Sequence, residues 1–287
     1  MTRYLITGAA GMLGRDLQEA LRERDASVDL VALTRSELDI TDASAVAAAV
    51  AGVDVVFNCA AYTAVDAAET DEEAALQVNG VGPATLAEAT AATGAALIHI
   101  STDYVFKGSA TSPYPEDGER DPLNAYGRTK AFGEEAVLRL NPARGYVVRT
   151  AWIYGRHGNN FPATMLRLGR ERDSVSVVDD QVGQPTWTAD LARQLILLAD
   201  SGAPAGVYHG TNSGQGSWFD FAQATFQEAG LDPAKVKPTD SSQFVRPAPR
   251  PAYSVLGHDA WSRAGLDPMR DWRAALHEAA SSGVFGD

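Results

Sequence analysis

The chain has 287 residues, of which 45% are hydrophobic, and a formal net charge of −13. This length supplies enough material for one large or two smaller globular domains. The acidic charge and the lack of a basic stripe argue against a nucleic-acid partner. The single cysteine, Cys59, excludes an internal disulfide framework, and the five histidines show no metal-ligand spacing, so we predict no metal site.

Membrane association is not expected from the sequence. No apolar run is long enough to span a bilayer, and the N-terminus enters a predicted strand at once, without the regions of a signal peptide. We therefore expect a cytoplasmic protein.

Three glycines spaced three residues apart, Gly8, Gly11 and Gly14, follow the first apolar strand. In a strand-to-helix turn the first glycine permits a tight bend and the second lets the backbone approach a ligand's phosphates. The third allows the helix to pack closely on the sheet. The helix N-terminus, at Met12 and Leu13, presents free N–H groups and a partial positive charge. The segment therefore predicts a dinucleotide-binding site.

The end of the second predicted strand, residues 30–33, faces the adenosine ribose in such a site. Thr34 and Arg35 follow it, where an NAD-specific site would carry a carboxylate. An arginine can instead bind a 2′-phosphate through charge-assisted hydrogen bonds. Arg35 therefore favours NADPH, and the use of NADH stays open. Asp39 and Ile40, in the next loop, are placed to meet the adenine.

Strands and helices alternate through the first half of the sequence. This pattern is typical of an α/β protein with a Rossmann-like, doubly wound parallel sheet. After Arg149 the alternation loosens and turn residues multiply, which indicates a smaller, loop-rich C-terminal substrate domain. We place a dinucleotide-binding domain at residues 1–150, rejoined by part of residues 175–212, and a mainly substrate-binding domain at residues 151–287. The predicted strands of the first half are residues 5–7, 30–33, 53–58, 96–101 and 146–149.

Two segments carry candidate acid–base side chains. Thr102 ends the fourth predicted strand, and Tyr126 and Lys130 lie four residues apart, on one face of a predicted helix. A tyrosine can exchange a proton with the oxygen of a carbonyl group, but its ordinary pKa is about 10. A nearby ammonium stabilises the phenolate and lowers that pKa. With nine tyrosines and only four lysines in the chain, this spacing is rarely a coincidence. We therefore predict a Thr/Tyr/Lys catalytic triad.

Together these motifs resemble the extended short-chain dehydrogenase/reductases, and among them most closely the dTDP-4-dehydrorhamnose reductase family. The resemblance runs along nearly the whole chain. The glycine and tyrosine–lysine motifs indicate only the superfamily. The reductase branch is indicated by A-Y-T-A-V-D at residues 61–66, S-T-D-Y-V-F at 101–106, R-T-A-W-I-Y-G at 149–155, G-N-N-F at 158–161, D-Q-V-G-Q-P-T at 180–186 and R-P at 250–251.

The resemblance implies hydride transfer from a reduced nicotinamide to C4 of a dTDP-linked 4-keto-6-deoxyhexose. Tyr126 would protonate the oxygen, Thr102 would polarise the keto group, and Lys130 would tune Tyr126 and bind the nicotinamide ribose. Further cofactor contacts would come from Ala60, Ala61, Tyr62 and Ser101. The sugar and nucleotide would be lined by Val65, Thr102, Asp103, Tyr104 and Trp152.

The resemblance also bears on metal binding and assembly. Some family members bind a divalent cation at a dimer contact through acidic side chains. Arg15 stands here where one of those acids is expected, which argues against metal-dependent dimerisation. A monomer and a homodimer both stay open.

The same fold also carries functions other than this predicted reduction. A dehydratase of the superfamily uses an Asp-Glu pair after the threonine, whereas Tyr104 follows Asp103 here. Three alternatives stay open: a reductase of another dTDP-deoxysugar in secondary metabolism, a nucleotide-sugar epimerase, and a non-catalytic regulatory subunit. The complete triad argues against the regulatory subunit.

Overall fold

The computed structural model describes residues 1–285. Its strands are β1 (Arg3–Thr7), β2 (Asp29–Leu33), β3 (Val55–Asn58), β4 (Ala96–Thr102), β5 (Gly145–Thr150), β6 (Ile153–Tyr154), β7 (Val175–Val178), β8 (Val182–Gly183), β9 (Thr186–Trp187), β10 (Gly206–His209), β11 (Gly216–Ser217) and β12 (Val236–Thr239).

The α-helices are α1 (Met12–Arg24), α2 (Ala43–Val50), α3 (Val65–Ala68), α4 (Glu72–Leu76), α5 (Gly82–Thr93), α6 (Ala125–Leu140), α7 (Phe161–Glu171), α8 (Thr188–Ser201), α9 (Trp218–Glu228), α10 (Asp259–Arg263) and α11 (Trp272–Ser281). A π-helical turn, Gln77–Val81, joins α4 to α5, and a 3₁₀ turn, Asp103–Val105, follows β4. Among the helices within residues 1–285, none is long and apolar enough to cross a membrane.

The central sheet has six strands in the order β10, β5, β4, β3, β1 and β2, and every neighbouring pair is parallel. The predicted doubly wound α/β fold is confirmed. The chain order of the strands reverses between β1 and β3, and in open sheets the crevice at such a point binds ligands. The glycine turn after β1 lies at this point.

Helices cover both faces of the sheet because consecutive residues of a strand point to opposite sides. Leu5 and Ile6, neighbours in β1, are fully buried in different clusters. The Ile6 side is packed by α1 and α8, mainly through Leu13, Leu17, Leu191 and Leu195. The Leu5 side is packed by α2, α5 and α6, mainly through Val46, Leu86 and Val137.

The chain beyond β5 forms short strand pairs, long loops and a second, aromatic packing region. Strands β11 and β8, β12 and β7, and β6 and β9 form three two-stranded sheets. The aromatic core of this region is formed by Tyr154, Trp187, Phe221 and Trp272. Strand β10 leaves this region and pairs with β5 at the edge of the central sheet. The exact division into domains stays a prediction.

A buried carboxylate attaches α6 to the two strands beneath it. Glu134, on α6, accepts hydrogen bonds from Ser101 Oγ at 2.6 Å and from Arg149 Nε and Nη2 at 2.9 and 2.8 Å. The Glu134 and Arg149 side chains are 0% and 3% exposed. Ser101 lies in β4 and Arg149 in β5, so one carboxylate joins three elements. Such a bidentate, fully hydrogen-bonded pair tolerates burial, but the loss of one partner leaves an uncompensated charge.

We expect Glu134→Gln to lower the free energy of unfolding by about 3 kcal/mol, because it leaves the Arg149 guanidinium buried without its counter-charge. Urea unfolding followed by circular dichroism measures the change. Glu135→Gln is the matched control, since the neighbouring Glu135 side chain is 69% exposed. An equal effect of the two substitutions would contradict this account of the buried pair.

Candidate active site

The glycine turn after β1 brings backbone segments into close approach. Gly8 has a φ of +67°, and a Cβ on it would lie 2.6 Å from the backbone nitrogen of Ala60. A Cβ on Gly14 would lie 2.5 Å from the carbonyl oxygen of Gly8. Neither position has room for a side chain, so glycine allows the turn, the start of α1 and the end of β3 to meet.

The N-terminus of α1 is a backbone anion site by its geometry. Gly11 precedes the helix, and no side chain among residues 1–285 caps it. The first N–H groups of a helix have no intrahelical acceptor, so those of Met12 and Leu13 can donate to a ligand. Together with the helix dipole they favour a phosphate at this place.

The end of β2 carries the exposed side chain of Arg35, next to an acid that we did not predict there. Glu37 folds back and accepts hydrogen bonds from the backbone nitrogen of Thr34 at 2.8 Å and from its hydroxyl at 2.7 Å. The Glu37 carboxylate is thereby engaged locally. Arg35 stays the candidate for a 2′-phosphate.

Asp39 and Ile40 are placed differently from one another. Asp39 is exposed and accepts hydrogen bonds from the Thr41 nitrogen at 2.9 Å and hydroxyl at 2.8 Å. Ile40 is buried with Val46 and Leu86. Because the side chain of Ile40 belongs to the core, only its outer edge or its backbone could contact adenine. This contact stays a prediction.

The segments after β3 and within β4 present the other expected cofactor residues. Ala60, Ala61 and Tyr62 are half-buried, and Asn79 holds Tyr62 by a pair of hydrogen bonds to its backbone nitrogen (2.8 Å) and oxygen (3.1 Å). Ser101 directs its hydroxyl to Glu134. Only the backbone of Ser101 is therefore available for the predicted contact with the cofactor.

Thr102 and Tyr126 meet where β4 ends and α6 begins. Asn124 caps α6 by accepting a hydrogen bond from the Gly127 nitrogen at 2.8 Å, which places Tyr126 in the first turn. The rings of Tyr126 and Tyr104 pack edge to face with centroids 5.9 Å apart. Burial and the nearby carboxylate of Asp103 raise the pKa of Tyr126 to about 12, and the Thr102 hydroxyl acts in the opposite direction.

Lys130 lies one turn further along α6 and is 1% exposed. Its Nζ donates to the carbonyl oxygen of Ile100 at 2.6 Å and lies 3.5 Å from His99 Nε2. Burial lowers the pKa of Lys130 to about 8. We predicted that Lys130 would lower the pKa of Tyr126. Burial and Asp103 act in the opposite direction at the tyrosine, and the contribution of Lys130 stays a prediction.

Asp103 is the most strongly perturbed carboxyl group of the site. It is 2% exposed, and its Oδ1 accepts a hydrogen bond from Thr102 Oγ1 at 2.9 Å. Its Oδ2 is buried without a partner at hydrogen-bonding geometry in the described chain. Burial raises the pKa of Asp103 to about 6, against the opposing influence of the Ser254 and Thr102 hydroxyls. A carboxyl group kept at such a cost beside Thr102 and Tyr126 is a functional candidate.

Trp152 is held in a strained backbone conformation, with a φ of +47°. Its indole stacks on that of Trp218 with ring centroids 3.7 Å apart. A Cβ on Gly183 would lie 2.6 Å from the Trp152 ring. The ring is therefore fixed between Trp218 and Gly183, two residues that we did not single out because both lie far from Trp152 in sequence. Strain of this kind concentrates at functional sites.

An ion pair connects the C-terminal part of the chain to the residues expected to line the substrate. Arg250 Nη2 lies 3.0 Å from Asp66 Oδ1, and the guanidinium is 6.0 Å from the centroid of the Tyr104 ring. Val65 begins α3 beside Asp66 and is half-buried. Arg250 adds a cation to this side of the site, where we had used it only as part of a motif.

Asp16, Glu19 and His157 form a cluster whose potential ligand atoms lie within 4.8 Å of one another. His157 Nε2 is 3.1 Å from Glu19 Oε1 and 3.7 Å from Asp16 Oδ1. The spacing of histidines along the sequence could not reveal it, because His157 is remote from α1. The absence of a metal site stays a prediction.

The raised pKa of Asp103 predicts a pH-dependent cost to stability. The folded protein holds the proton between the ordinary aspartate pKa and about 6, so stability falls as pH rises through that window. We expect Asp103→Asn to be more stable than the unsubstituted protein at neutral pH by about 2 kcal/mol, with the difference vanishing below about pH 4. Urea unfolding across this pH range, with the exposed Asp117→Asn as control, decides it. A constant difference at all pH values would refute the assignment.

Comparison with known proteins places the whole chain in one family. Residues 2–284 match the family model described as RmlD substrate binding domain. A dTDP-4-dehydrorhamnose reductase of Streptomyces griseus is 54% identical over 283 residues, covering 96% of this chain and 92% of that protein. A dTDP-4-keto-6-deoxy-D-glucose reductase of Streptomyces niveus is 52% identical, covering 96% of each.

Solved structures indicate the same family. The crystal structure of a dTDP-4-dehydrorhamnose reductase from Bacillus anthracis in complex with NADP has a TM-score of 0.93 and 39% sequence identity, and it covers 98% of this chain and 100% of that one. Taken with the glycine turn and the Thr102, Tyr126 and Lys130 geometry, these similarities show that the chain belongs to the dTDP-4-dehydrorhamnose reductase family.

Proposed function

We propose that this protein is an NADPH-dependent reductase that converts dTDP-4-dehydro-L-rhamnose to dTDP-L-rhamnose by hydride transfer to C4. The observation that supports this proposal most strongly is that Thr102 and Tyr126 lie together at the carboxyl end of β4. Lys130 lies below them, and the Gly8 turn lies in the same crevice of the sheet. Relatives about half identical to this chain are named as reductases of dTDP-4-keto sugars, which supports the same reaction class.

The residues of the crevice fit NADPH. The close backbone approach at Gly8 and Gly14 holds the turn against the start of α1, where the first N–H groups of the helix can donate to a pyrophosphate. Arg35 binds the 2′-phosphate. Bound NADPH supplies the hydride. The family neighbour from Bacillus anthracis, solved with NADP, supports this choice over NADH.

Tyr126 delivers the proton to the C4 oxygen. Its pKa of about 12 keeps the hydroxyl protonated at neutral pH until negative charge develops on the substrate oxygen. Thr102 orients and polarises the keto group through its hydroxyl. Lys130, as an ammonium, stabilises the phenolate that remains on Tyr126 and binds the nicotinamide ribose.

The proposed substrate contacts come from both halves of the chain. Trp152 offers an aromatic face fixed by Trp218, while Val65, Asp103 and Tyr104 line the sugar and nucleotide. We place the cofactor domain at residues 1–150, joined by β10, and a substrate domain formed mainly from residues 151–287, which contributes Trp152 to the substrate site. Arg250 is an additional candidate for the diphosphate, because the chain is acidic overall and needs local cations there.

A second candidate is the reduction of another dTDP-4-keto-6-deoxyhexose. It is favoured by the Streptomyces niveus relative, named dTDP-4-keto-6-deoxy-D-glucose reductase, which is nearly as similar to this chain as the Streptomyces griseus protein. An epimerase or a regulatory subunit has no comparable support. We further propose that the protein is a cytoplasmic monomer or homodimer, and the charge of −13 argues against a nucleic-acid partner.

The direct test is loss of nicotinamide absorbance with each dTDP-4-keto sugar in turn, and with the free keto sugar. We expect the highest kcat/KM with dTDP-4-dehydro-L-rhamnose and a far poorer rate without the nucleotide, because binding energy from remote groups supports the chemical step. A preference for dTDP-4-keto-6-deoxy-D-glucose would select the second candidate. No oxidation with any dTDP sugar would refute the reductase.

Tyr126→Phe should lower kcat by on the order of 10² to 10⁴ while the affinity for NADPH stays nearly unchanged, because only the proton donor is lost. Turnover and fluorescence titration with NADPH measure the two quantities. Tyr146→Phe is the control, since its hydroxyl bonds to the Ala203 carbonyl, in the loop before β10. Near-normal turnover of Tyr126→Phe would eliminate Tyr126 as the acid.

Arg35→Ala should raise the KM for NADPH more than the KM for NADH. The difference in apparent binding free energy should be about 1.5–3 kcal/mol, the usual strength of a hydrogen bond to a charged group. Arg22→Ala, at an exposed position in the last turn of α1, is the matched control. Should both cofactors respond equally, Arg35 does not contact the 2′-phosphate.

A further inference from the structure

A series of buried polar side chains in contact with one another extends from β1 to Lys130 beneath the site. Thr7 Oγ1 donates to Asn58 Oδ1 at 2.7 Å, and Asn58 Nδ2 lies 3.0 Å from His99 Nδ1. On the other side of the imidazole ring, His99 Nε2 lies 3.5 Å from Lys130 Nζ. All four residues are at most 1% exposed. The proposed mechanism uses only Lys130, so the other three polar groups need a reason to be buried here.

The directions of these hydrogen bonds fix the tautomer of His99. The backbone N–H of Ala60 donates to Asn58 Oδ1 at 3.2 Å, so this atom is the amide oxygen. Asn58 Nδ2 is then the donor toward His99, and the Nδ1 of the imidazole must accept. Burial and the adjacent Lys130 lower the pKa of His99 well below its ordinary value, so the ring is neutral. A neutral ring with an accepting Nδ1 carries its proton on Nε2.

We propose that His99 is a positioning residue that sets the protonation state of Lys130 by directing its Nε2–H at the Lys130 nitrogen. The inference rests on the proposed function, in which Lys130 assists Tyr126. Lys130 Nζ already donates to the Ile100 carbonyl at 2.6 Å. A neutral Lys130 amine has a lone pair that can accept a hydrogen bond from His99 Nε2–H. A Lys130 ammonium has only N–H donors, which would face the N–H of His99 and repel it. The contact therefore disfavours protonation of Lys130.

The other ionisable groups around Lys130 are Glu134, on the same helix, and Cys59, after β3. Both act to raise the pKa of Lys130, whereas burial lowers it to about 8. Because only the ammonium stabilises the Tyr126 phenolate, the rate falls as pH rises through the pKa of Lys130. Removing the His99 N–H should raise that pKa and move the alkaline limb of the rate profile to higher pH.

The tautomer can be tested without any substitution. In ¹⁵N-histidine-labelled protein, the His99 ring should show a protonated Nε2 and an unprotonated Nδ1 throughout neutral and mildly alkaline pH. The pair of ring nitrogen shifts distinguishes the two tautomers, and the loss of one signal in a His99 variant identifies it. A proton on Nδ1 would overturn the proposal, since Nε2 would then accept from Lys130 and favour its ammonium.

The effect on Lys130 is measured by NMR of lysine labelled with ¹³C at Cε. The chain has only four lysines, and Lys130→Arg identifies the relevant signal. His99→Asn retains an acceptor for Asn58 but removes the N–H toward Lys130, and should raise the Lys130 pKa by roughly one pH unit. His99→Gln returns an N–H near the position of Nε2 and should restore the original pKa. An unchanged pKa in His99→Asn, or equal shifts in both variants, would refute the proposal.

The same pair of variants gives a kinetic readout. The alkaline limb of kcat should move to higher pH in His99→Asn and stay in place in His99→Gln, whereas a purely structural role would impair both at every pH. The NMR titrations need neither cofactor nor sugar. They decide the role of His99 even if no dTDP sugar is reduced, so failure of this proposal and failure of the proposed function are distinguishable.

Discussion

The Glu134 carboxylate is the point at which the helix that carries Tyr126 and Lys130 is attached to the sheet. It binds Ser101 in β4 and Arg149 in β5 at once, with no exposure to solvent. Thr102 follows Ser101 directly, and Tyr126 lies on the same helix as Glu134, so this contact constrains the distance between the segments that carry the two side chains. A surface ion pair could not fix this distance, because screening and side-chain entropy leave it weak. Burial makes the attachment rigid and also intolerant of change.

Anion binding in a protein with a net charge of −13 has to rely on local groups. The N–H groups at the start of α1 are such a device, because they are fixed by the backbone and carry no side chain that could move away. Arg35, after β2, and Arg250, beside Tyr104 and paired with Asp66, are two further candidate cations.

Desolvation sets the acid–base character of the site more than any pair of charges does. It raises the pKa of Tyr126 and Asp103 and lowers that of Lys130. A tyrosine that stays protonated and a lysine that titrates near neutrality suit a reaction in which a proton must be delivered and then replaced. The water-excluding packing of β4 against α6 therefore contributes to the chemistry as well as to the fold.

The sequence by itself determined the fold class, the glycine turn and the tyrosine–lysine pair, because each depends on local spacing. Strand alternation, glycines at a turn and residues four apart on a helix are visible along the chain. Only the tertiary structure decided the stacking of Trp152 on Trp218, the pairing of Arg250 with Asp66 and the direction of the Tyr126 pKa. These depend on contacts between distant segments and on the exclusion of water, which no spacing along the chain encodes.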